Sequence, residues 1–529
     1  NQRHTFDAQV SKKDLFETYL PAFKVLVEAG VEAVMGAYNR TLGEPCCGSV
    51  YLLRDILRAQ WGFQGHVVSD CWAIRDFHEN HKATSSPEAS AAKALNAGCD
   101  LNCGCTYPYL TVACKQGLVS EATIDTALTR LLRTRFKLGV FDPPEQDRYS
   151  HLSREVINCE KHRALALEAA CKSIVLLKND KNLLPLDERF KHILLIGPGA
   201  ANPHTLLGNY YGLSPRLVTI LEGIAGKVQD TYGVNLEYRQ GCLQYEANHP
   251  SNQIFGEASA KDLVIAVFGL DGAMEGEEGD AIASDSNGDR EAVELPPWQL
   301  AFLRKIRTEG RPLILVLTGG SPIAVPEDIA DAILFVWYPG EQGGAAVADI
   351  LFGDRAPTGK LPITFPASTA QLPPYDDYAL RGRTYRYMQD TPLYPFGFGL
   401  TYTSFHFGAP ELSVEELKAG DSVRVRVPVT NTGRRDGEAV IQVYVAKERP
   451  GPEDPRAALR KFARQVIPAG ETQTFCVDLP SAAFETITEE GQSILVPGSY
   501  KVIVADAAPL PVAVEKGATP PVSARIYLS

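Results

Sequence analysis

The sequence predicts an α/β protein in three successive parts: the C-terminal portion of a (β/α)8-type barrel, an open α/β sandwich, and a β-sandwich of immunoglobulin or fibronectin type. Three observations predict this order. Short apolar strands alternate with amphipathic helices over residues 1–145, the alternation returns with longer apolar strands over residues 191–370, and a period-two pattern fills residues 402–529. At 529 residues the chain is also longer than one hydrophobic core usually spans.

The first part alternates helix and strand in a βα order, which predicts a parallel sheet. Its strand signals are VEAVMGAYN, GHVVSD and CDLNC, and helical segments such as YLLRDILRAQWG and PEASAAKALNAG separate them. These strands are fewer than a closed (β/α)8 barrel needs. Because a partial sheet exposes its edges, we expect a further polypeptide segment to complete the barrel.

The second part contains four strongly apolar strand segments, HILLIGPG, DLVIAVFGL, RPLILVLTGG and AILFVWYPG. Helical segments separate them, which is typical of a doubly wound sheet. We assign residues 146–190 to a linker before this sandwich, and residues 371–401, rich in Pro, Tyr and Gly, to a connector after it. In the third part valine recurs at every second position, which predicts a strand with one buried face: Val423, Val425, Val427 and Val429.

The composition argues against several classes of partner. A net charge of -12 and the lack of a clustered basic segment argue against nucleic-acid binding. No apolar run is long enough to cross a membrane, and residues 1–20 lack the order of a signal peptide. The segment GPGAAN carries Asn202 where a dinucleotide-binding fingerprint needs its third glycine, so no nucleotide cofactor is predicted.

The 11 cysteines lack the regular spacing of a disulfide framework. Cys99, Cys103 and Cys105 cluster in GCDLNCGC, but no histidine or second CxxC pair completes a set of four ligands. We therefore predict no metal site and interpret these cysteines as buried small hydrophobes.

Asp70 ends the strand GHVVSD, at the sheet edge where catalytic side chains of β/α barrels normally lie. A helix-capping role is the structural alternative, since Asp commonly follows a strand to cap the next helix. A cysteine nucleophile at Cys71 is disfavoured because no histidine lies nearby as an obvious base before His78.

A second acidic focus lies in the loop GLDGAMEGEEGDAIASDSNGDREAVELP, which includes Glu275, Glu277 and Glu278. Such a loop is ordinarily only solvated, and its glycine at position 288 comes too early for an EF-hand calcium site. Two carboxylates are, however, what glycoside hydrolysis requires, because one must stay ionised to attack the anomeric carbon while the other protonates the leaving group.

These residues resemble glycoside hydrolase family 3, and within it the bacterial β-xylosidase-like members. The resemblance covers essentially the whole chain and rests on several motifs together: VMGAYNR, SDCWAI, KSIVLLKND with the following LLPL, LLGNYYG, YPGEQGG and PLYPFGFGLTYTSF. It implies a β/α barrel, then an α/β sandwich, then a fibronectin type III-like domain, the same order that the strand and helix patterns predict.

The resemblance also implies roles for individual residues. By position, Asp70 resembles the nucleophile and Glu275 the acid/base, with Glu277 and Glu278 as alternatives because this loop varies in length across the family. Tyr38 in GAYN resembles a tyrosine whose hydroxyl holds the nucleophile, and a buried aromatic core residue is its alternative. Cys71 stands where β-glucosidase members commonly carry Trp, which favours a pentose in the sugar subsite.

We therefore expect a retaining exo-β-xylosidase that releases xylose from xylo-oligosaccharides through a covalent intermediate on Asp70, without metal or cofactor. Retention requires carboxyl groups about 5–5.5 Å apart. A β-glucosidase or α-L-arabinofuranosidase of the same family is the alternative, and a non-catalytic carbohydrate-binding subunit is an alternative of another class. The substrate class favours a periplasmic or secreted location, and a homodimer is left open.

Overall fold

The structure is a computed structural model that describes residues 3–229, 233–247, 252–277, 279, 281–284, 286, 288–308 and 310–529. The chain forms two compact units. The first comprises Asn1–Val156, Pro373–Leu380 and Thr486–Ile494, and the second comprises Ile157–Leu372, Arg381–Glu485 and Leu495–Ser529. Within the described ranges no helix has both the length and the apolar character needed to span a membrane.

The first unit is built around two parallel strands, Ala33–Gly36 and His66–Ser69, in which Gly36 lies opposite Ser69. A parallel bridge between Val68 and Leu101 extends the pair, so the segment predicted as a third strand contributes a single bridge. The predicted parallel βα order is confirmed. Five further strands form small antiparallel or mixed pairings: Asp7–Ala8, Arg40–Thr41, Glu44–Pro45 and, in the returning segments, Thr486–Ile487 with Ser493–Ile494.

The helix Pro87–Ala97 shows how local sequence sets the helices of this unit. Ser86 caps it by accepting a hydrogen bond from the N–H of Ala89 (3.3 Å), and Pro87 occupies its first turn. It ends at Gly98, whose φ of +106° suits glycine. The remaining helices of the unit are Lys12–Asp14, Leu15–Tyr19, Pro21–Glu28, Cys46–Gly48, Tyr51–Gln60, Asp76–Glu79, Tyr107–Tyr109, Leu110–Lys115, Glu121–Lys137, Pro144–Gln146 and Arg154–Val156.

The second unit contains a six-stranded sheet. Its strand order across the sheet is Val175–Asn179, Ala332–Trp337, Leu313–Thr318, Leu263–Gly269, His192–Ile196 and Asn235–Arg239. All neighbours are parallel except Val175–Asn179, which runs antiparallel to Ala332–Trp337.

Both faces of this sheet are buried. Along the strand Leu263–Gly269, alternate residues pack into two different hydrophobic clusters, Val264 and Phe268 in one and Ile265 in the other. The helix Pro297–Arg307 belongs to the first cluster and the helix Gly343–Phe352 to the second. Burial on both faces explains why these strands are continuous apolar runs in the sequence, and it confirms the predicted doubly wound sandwich. The other helices of the unit are Glu160–Ser173, Asp180–Asn182, Pro203–Leu206, Ile220–Gln229, Asn252–Ser259, Gly272–Glu275, Glu327–Ile329, Thr369–Gln371, Thr384–Tyr387, Ser481–Phe484 and Pro511–Glu515.

Two strands of the sheet are not among the four predicted from the sequence. The edge strand Asn235–Arg239 is polar, and Val175–Asn179 lies with the helix Glu160–Ser173 inside residues 146–190, which the sequence assigns to a linker. An edge strand has one neighbour and partial exposure, so its sequence need not be uniformly apolar. The predicted connector also contributes to the core, since Phe398 is fully buried. The domain boundaries as a whole stay a prediction.

The second unit also contains a β-sandwich. One sheet comprises Phe405–Phe407, Glu411–Leu412, Ser422–Asn431 and Thr472–Pro480, and the other comprises Glu416–Leu417, Gly437–Lys447, Ala458–Ile467, Gly498–Ala505 and Val522–Leu528. In the strand Ser422–Asn431 every second residue is buried, which confirms the face predicted from Val423, Val425, Val427 and Val429.

Candidate active site

Asp70 lies directly after the strand His66–Ser69, at the carboxyl end of the parallel pair. Its N–H donates to the carbonyl of Gly36 (2.9 Å), which continues the pairing by one residue. Its Oδ1 accepts a 2.7 Å hydrogen bond from the N–H of Cys71. The next helix, Asp76–Glu79, begins after Arg75, so Asp70 does not cap a helix and the structural alternative for this residue is wrong.

A disulfide joins Cys71 to Cys103 immediately after Asp70. The N–H of Trp72 donates to the carbonyl of Cys103 (2.8 Å), and the N–H of Cys103 donates to Oγ of Ser69 (3.0 Å). Trp72 has a φ of +70°, an unusual conformation for a bulky residue. The backbone on both sides of Asp70 is therefore tied to the segment that contains Cys103.

This disulfide corrects the prediction for the cysteine cluster. Cys99 is buried, as expected for a small hydrophobe, but Cys103 is cross-linked and Cys105 is an exposed thiol. Sequence spacing could not reveal the pair, because Cys71 and Cys103 belong to different βα units that meet only in the sheet.

Tyr38 follows the strand Ala33–Gly36 and is half-buried against the core of the first unit. Its ring meets the imidazole of His4 edge to face, with centroids 4.8 Å apart. Nδ1 of His4 in turn lies 2.7 Å from Oδ2 of the buried Asp76. The predicted core contact of Tyr38 is present, and its predicted role toward Asp70 stays a prediction.

Glu275 ends the short helix Gly272–Glu275, which follows the buried strand Leu263–Gly269. Asp271 caps this helix by accepting from the N–H of Ala273 (3.1 Å). The side chain of Glu275 is only 7% exposed. A carboxylate this deeply buried needs several donors.

Four donors surround the Glu275 carboxylate. Oε1 accepts from the Tyr338 hydroxyl (2.5 Å) and from the N–H of Gly320. Oε2 accepts from the Ser321 hydroxyl (2.6 Å) and lies 3.5 Å from a guanidinium nitrogen of Arg290. Each oxygen of the carboxylate therefore has two partners, as a buried carboxylate requires.

Two of these partners, Tyr338 and Arg290, have shifted pKa values. Burial, followed by the Glu275 carboxylate, raises the pKa of Tyr338 well above its usual value, so the phenol keeps its proton and acts as a donor. Burial lowers the pKa of Arg290 while the Glu275 charge opposes that shift, and an arginine still remains a cation. Glu275 and Arg290 thus form a buried ion pair supported by neutral donors.

Glu277 lies two residues beyond Glu275, outside the helix, and is half-exposed. Its carbonyl accepts a hydrogen bond from the N–H of Ala281 (3.0 Å). Glu278, the other predicted alternative, lies outside the described residues. In the described part of the chain, no group of three His, Cys, Asp or Glu is placed to hold a metal ion.

Sequence reasoning did not identify the residues that hold Glu275. Ser321 and Tyr338 each follow a strand of the parallel sheet, Leu313–Thr318 and Ala332–Trp337. The carboxyl ends of parallel strands meet at one sheet edge. Polar residues that follow each strand in the sequence could therefore have been predicted to lie near Glu275. Arg290 stands in the acidic loop itself and carried no separate signal.

Three family models match the chain. "Glycosyl hydrolase family 3 N terminal domain" matches residues 1–134, "Glycosyl hydrolase family 3 C-terminal domain" matches residues 174–402, and "Fibronectin type III-like domain" matches residues 439–508.

Individual proteins are similar over nearly the full chain. A xylan 1,4-β-xylosidase from Xylanibacter ruminicola is 34% identical over 95% of this chain and 75% of its own length. A periplasmic β-glucosidase from Salmonella typhimurium is 33% identical over 94% of this chain and 68% of its own length. Among solved structures, an exo-β-xylosidase (XlnD) in complex with a xylobiose aziridine probe is 28% identical, with a TM-score of 0.88 over 100% of this chain and 69% of that one.

Proposed function

The chain belongs to glycosyl hydrolase family 3 and is a glycosidase, and from that membership we propose that it is a retaining exo-acting β-xylosidase that releases xylose from the non-reducing ends of xylo-oligosaccharides. The membership confirms the resemblance predicted from the sequence motifs. The single observation that carries the proposal is the position of Asp70 at the end of a parallel strand, where its backbone N–H donates to Gly36 and its carboxylate accepts from the N–H of Cys71.

The proposed reaction has two steps. An oxygen of Asp70 attacks the anomeric carbon while the bond from that carbon to the leaving oxygen breaks, and the acid/base glutamate gives its proton to the leaving oxygen. The same glutamate then takes a proton from water, and the water oxygen displaces Asp70 from the sugar. Xylose leaves with its original anomeric configuration.

We propose Glu277 as the acid/base in preference to Glu275, which was the first choice from the sequence. An acid/base must gain and lose a proton in each cycle. The side chain of Glu275 is buried and its two oxygens already accept from Arg290, Ser321 and Tyr338, so neither is open to the leaving oxygen of a sugar. Glu277 is half-exposed and two residues away, so Glu275 supports the loop that carries it. Glu278 is the remaining alternative.

Preference for a pentose is supported by Cys71. The relatives include named xylosidases and a named β-glucosidase, so membership alone leaves the sugar open. A cross-linked cysteine replaces a large aromatic side chain next to the nucleophile, which changes the volume available to the sugar. Tyr38 is proposed to hydrogen-bond the Asp70 carboxylate. β-Glucosidase or α-L-arabinofuranosidase activity is the second candidate.

We propose a periplasmic or secreted location because the structure contains a disulfide. Disulfides persist in oxidising compartments and are rare in reducing ones. Cys71 and Cys103 are cross-linked, and one relative is named a periplasmic enzyme. Alkylation of free thiols in protein taken directly from cells, followed by mass spectrometry, tests whether this pair is oxidised in place.

The test of the main proposal is hydrolysis of 4-nitrophenyl β-D-xyloside by the wild-type protein and by Asp70→Ala, with and without azide. We expect turnover by the wild type, a loss of about 10³-fold or more in the variant, and rescue by azide with formation of a xylosyl azide. Full activity of Asp70→Ala would show that another residue is the nucleophile. Matching glucoside and α-L-arabinofuranoside substrates decide between the two candidates, and NMR of the first-formed product reports retention.

A further inference from the structure

A cavity of about 580 Å³ opens in the second unit, between the edge of the six-stranded sheet and the β-sandwich. Its wall comes from segments that are far apart in the chain: the edge strand Val175–Asn179, residues 399–401, and the residues around Asp506 and Thr519. Every residue that lines the cavity belongs to the second unit. A volume of this size is typical of a site for a small molecule.

Lys360 brings an ammonium group to this wall. Its Nζ donates a 2.7 Å hydrogen bond to the carbonyl of Gly399, and within the described ranges no carboxylate forms an ion pair with it. An ammonium group carries three protons, so two remain for groups inside the cavity. Burial lowers the pKa of Lys360, while the charge of Asp506 opposes that shift. Bulk water therefore solvates this group poorly, and an acceptor inside the cavity would stabilise it.

Asp506 and Thr401 add two further polar groups to the wall. The Asp506 carboxylate accepts from the N–H (3.1 Å) and the hydroxyl (2.9 Å) of Thr519, and no cation in the described part of the chain forms an ion pair with it. A carboxylate has about four acceptor positions, so it can accept from a ligand as well. Oγ1 of Thr401 is buried and has no hydrogen-bond partner among the described residues. A buried hydroxyl without a partner is costly, and a polar ligand in the cavity would supply one.

The other charged side chains of the wall are largely paired within the protein. Three pairs account for them: Lys178 with Asp180 (2.9 Å), Lys516 with Glu327 (2.6 Å) and Glu438 with Arg464 (2.9 Å). Glu515 is exposed to solvent. Lys360 and Asp506 thus leave one ammonium group and one carboxylate, whose charges cancel. A wall of this kind favours a ligand without net charge, since an anion would meet Asp506 and a cation would meet Lys360.

We propose that this cavity binds a small neutral polyol, such as a pentose, through Lys360, Asp506 and Thr401. The hydroxyl groups of such a molecule can accept from the ammonium group, donate to the carboxylate and pair with the threonine hydroxyl. The apolar part of the wall, which includes Leu177 and Leu400, suits its C–H groups. None of these residues belongs to the proposed catalytic machinery, so a ligand in this cavity is additional to the substrate.

Chemical protection of Lys360 tests the site directly. The protein is treated with acetic anhydride, with and without methyl α-D-xylopyranoside, and mass spectrometry follows the peptide that contains Lys360. This sugar is non-reducing, so it does not itself react with amines. We expect acetylation of Lys360 to slow by about tenfold at saturating sugar, because the bound sugar excludes the reagent. Lys418, which is exposed on the β-sandwich, is the internal control and is expected to react at the same rate throughout.

Two threonine variants make the comparison specific. In Thr401→Val the sugar concentration that gives half-maximal protection is expected to rise by about fivefold, the effect of one lost hydrogen bond. Because Oγ1 of Thr401 has no partner among the described residues, this variant keeps the hydrogen bonds of the fold. Thr364→Val is the matched control, since Oγ1 of Thr364 is likewise buried without a described partner but does not line the cavity. It is expected to match the wild type.

Asp506→Asn removes a charged acceptor and is expected to raise the half-protecting concentration by about tenfold or more. Absence of protection in the wild type, or a Lys360 that never reacts without sugar, would overturn the site. Protection by glycine but not by the xyloside would show that the cavity takes a zwitterion instead of a polyol. Equal effects of the two threonine variants would show that Thr401 does not contact the ligand. These measurements require no hydrolysis, so their outcome is separate from that of the proposed xylosidase activity.

Discussion

The Tyr338 hydroxyl donates a 2.5 Å hydrogen bond to Oε1 of Glu275, although 63 residues separate the two in the chain. Each residue follows a strand of the parallel sheet, and the two strand ends bring them together. The contact helps to fix Glu275 in place, so this glutamate orders the loop on which Glu277 lies. Experiments on variants can separate the proposed proton transfer by Glu277 from the proposed structural support by Glu275.

Glu277→Ala is expected to slow hydrolysis of xylobiose by about 10²–10⁴-fold, because its leaving oxygen needs a proton. The same variant is expected to hydrolyse 2,4-dinitrophenyl β-D-xyloside much closer to the wild-type rate, since that leaving group departs without protonation. Steady-state kinetics on the two substrates measure the difference. Glu275→Gln is the comparison variant. We expect it to lower the hydrolysis rates of both substrates by the same factor, whatever the leaving group. The reverse pattern would assign the acid/base to Glu275.

Arg290→Met is expected to lower the free energy of unfolding by about 3–5 kcal/mol, because it leaves the buried Glu275 carboxylate without its cation. Urea denaturation, followed by the fluorescence change of the affected unit, measures this loss. Arg424→Met is the matched control, since Arg424 pairs with Asp478 on the exposed surface, where solvent screens an ion pair and its loss changes stability little. If the two variants lose similar amounts of unfolding free energy, the buried Arg290–Glu275 pair does not contribute more to stability than an exposed pair.

The double variant Cys71→Ser/Cys103→Ser is expected to lose about 2–4 kcal/mol of stability, because the disulfide closes a loop with a sequence separation of 32. Its kcat is also expected to fall, since the bridge fixes the backbone next to Asp70. Dithiothreitol should therefore inhibit the wild type and leave the double variant unchanged. Cys476→Ser, which removes an exposed free thiol, is the control for unrelated thiol chemistry. If the reduced and oxidised wild type are equally active, the disulfide is not needed to position Asp70.

His81 predicts a dependence of stability on pH. Its side chain is buried, and burial lowers the pKa of the imidazole below the usual value of 6.5. The unfolded chain therefore binds a proton that the folded protein does not. The stability that the neutral ring contributes is complete above about pH 6.5 and is lost as the pH falls below it.

The measurement is the difference in thermal midpoint between the wild type and His81→Leu, which cannot titrate. We expect the wild type to lose stability relative to the variant as the pH falls below about 6.5. Between about pH 7 and about pH 8 the difference is expected to stay constant. A difference independent of pH over the whole range would show that the ring does not change its protonation on unfolding.

The sequence by itself determined the features that depend on local patterns. The buried face of the strand Ser422–Asn431 follows from a period of two, and the strand Leu263–Gly269 follows from an unbroken apolar run. The position of Asp70 at a strand end follows from the same local reasoning. In each case the residues that support the prediction are neighbours in one strand. Side chains alternate between the two faces of a strand, so the sequence alone shows which of them are buried.

Only the tertiary structure decided the contacts between distant segments. Arg290, Ser321 and Tyr338 converge on Glu275 from separations of 15, 46 and 63 residues. The pairing of Cys71 with Cys103 is of the same kind. The order of strands in a sheet determines which loops meet, and that order is set by packing of the whole core rather than by spacing along the chain. For this reason the acidic loop and Glu275 were predicted from the sequence, whereas the convergence of four donors on that glutamate was not.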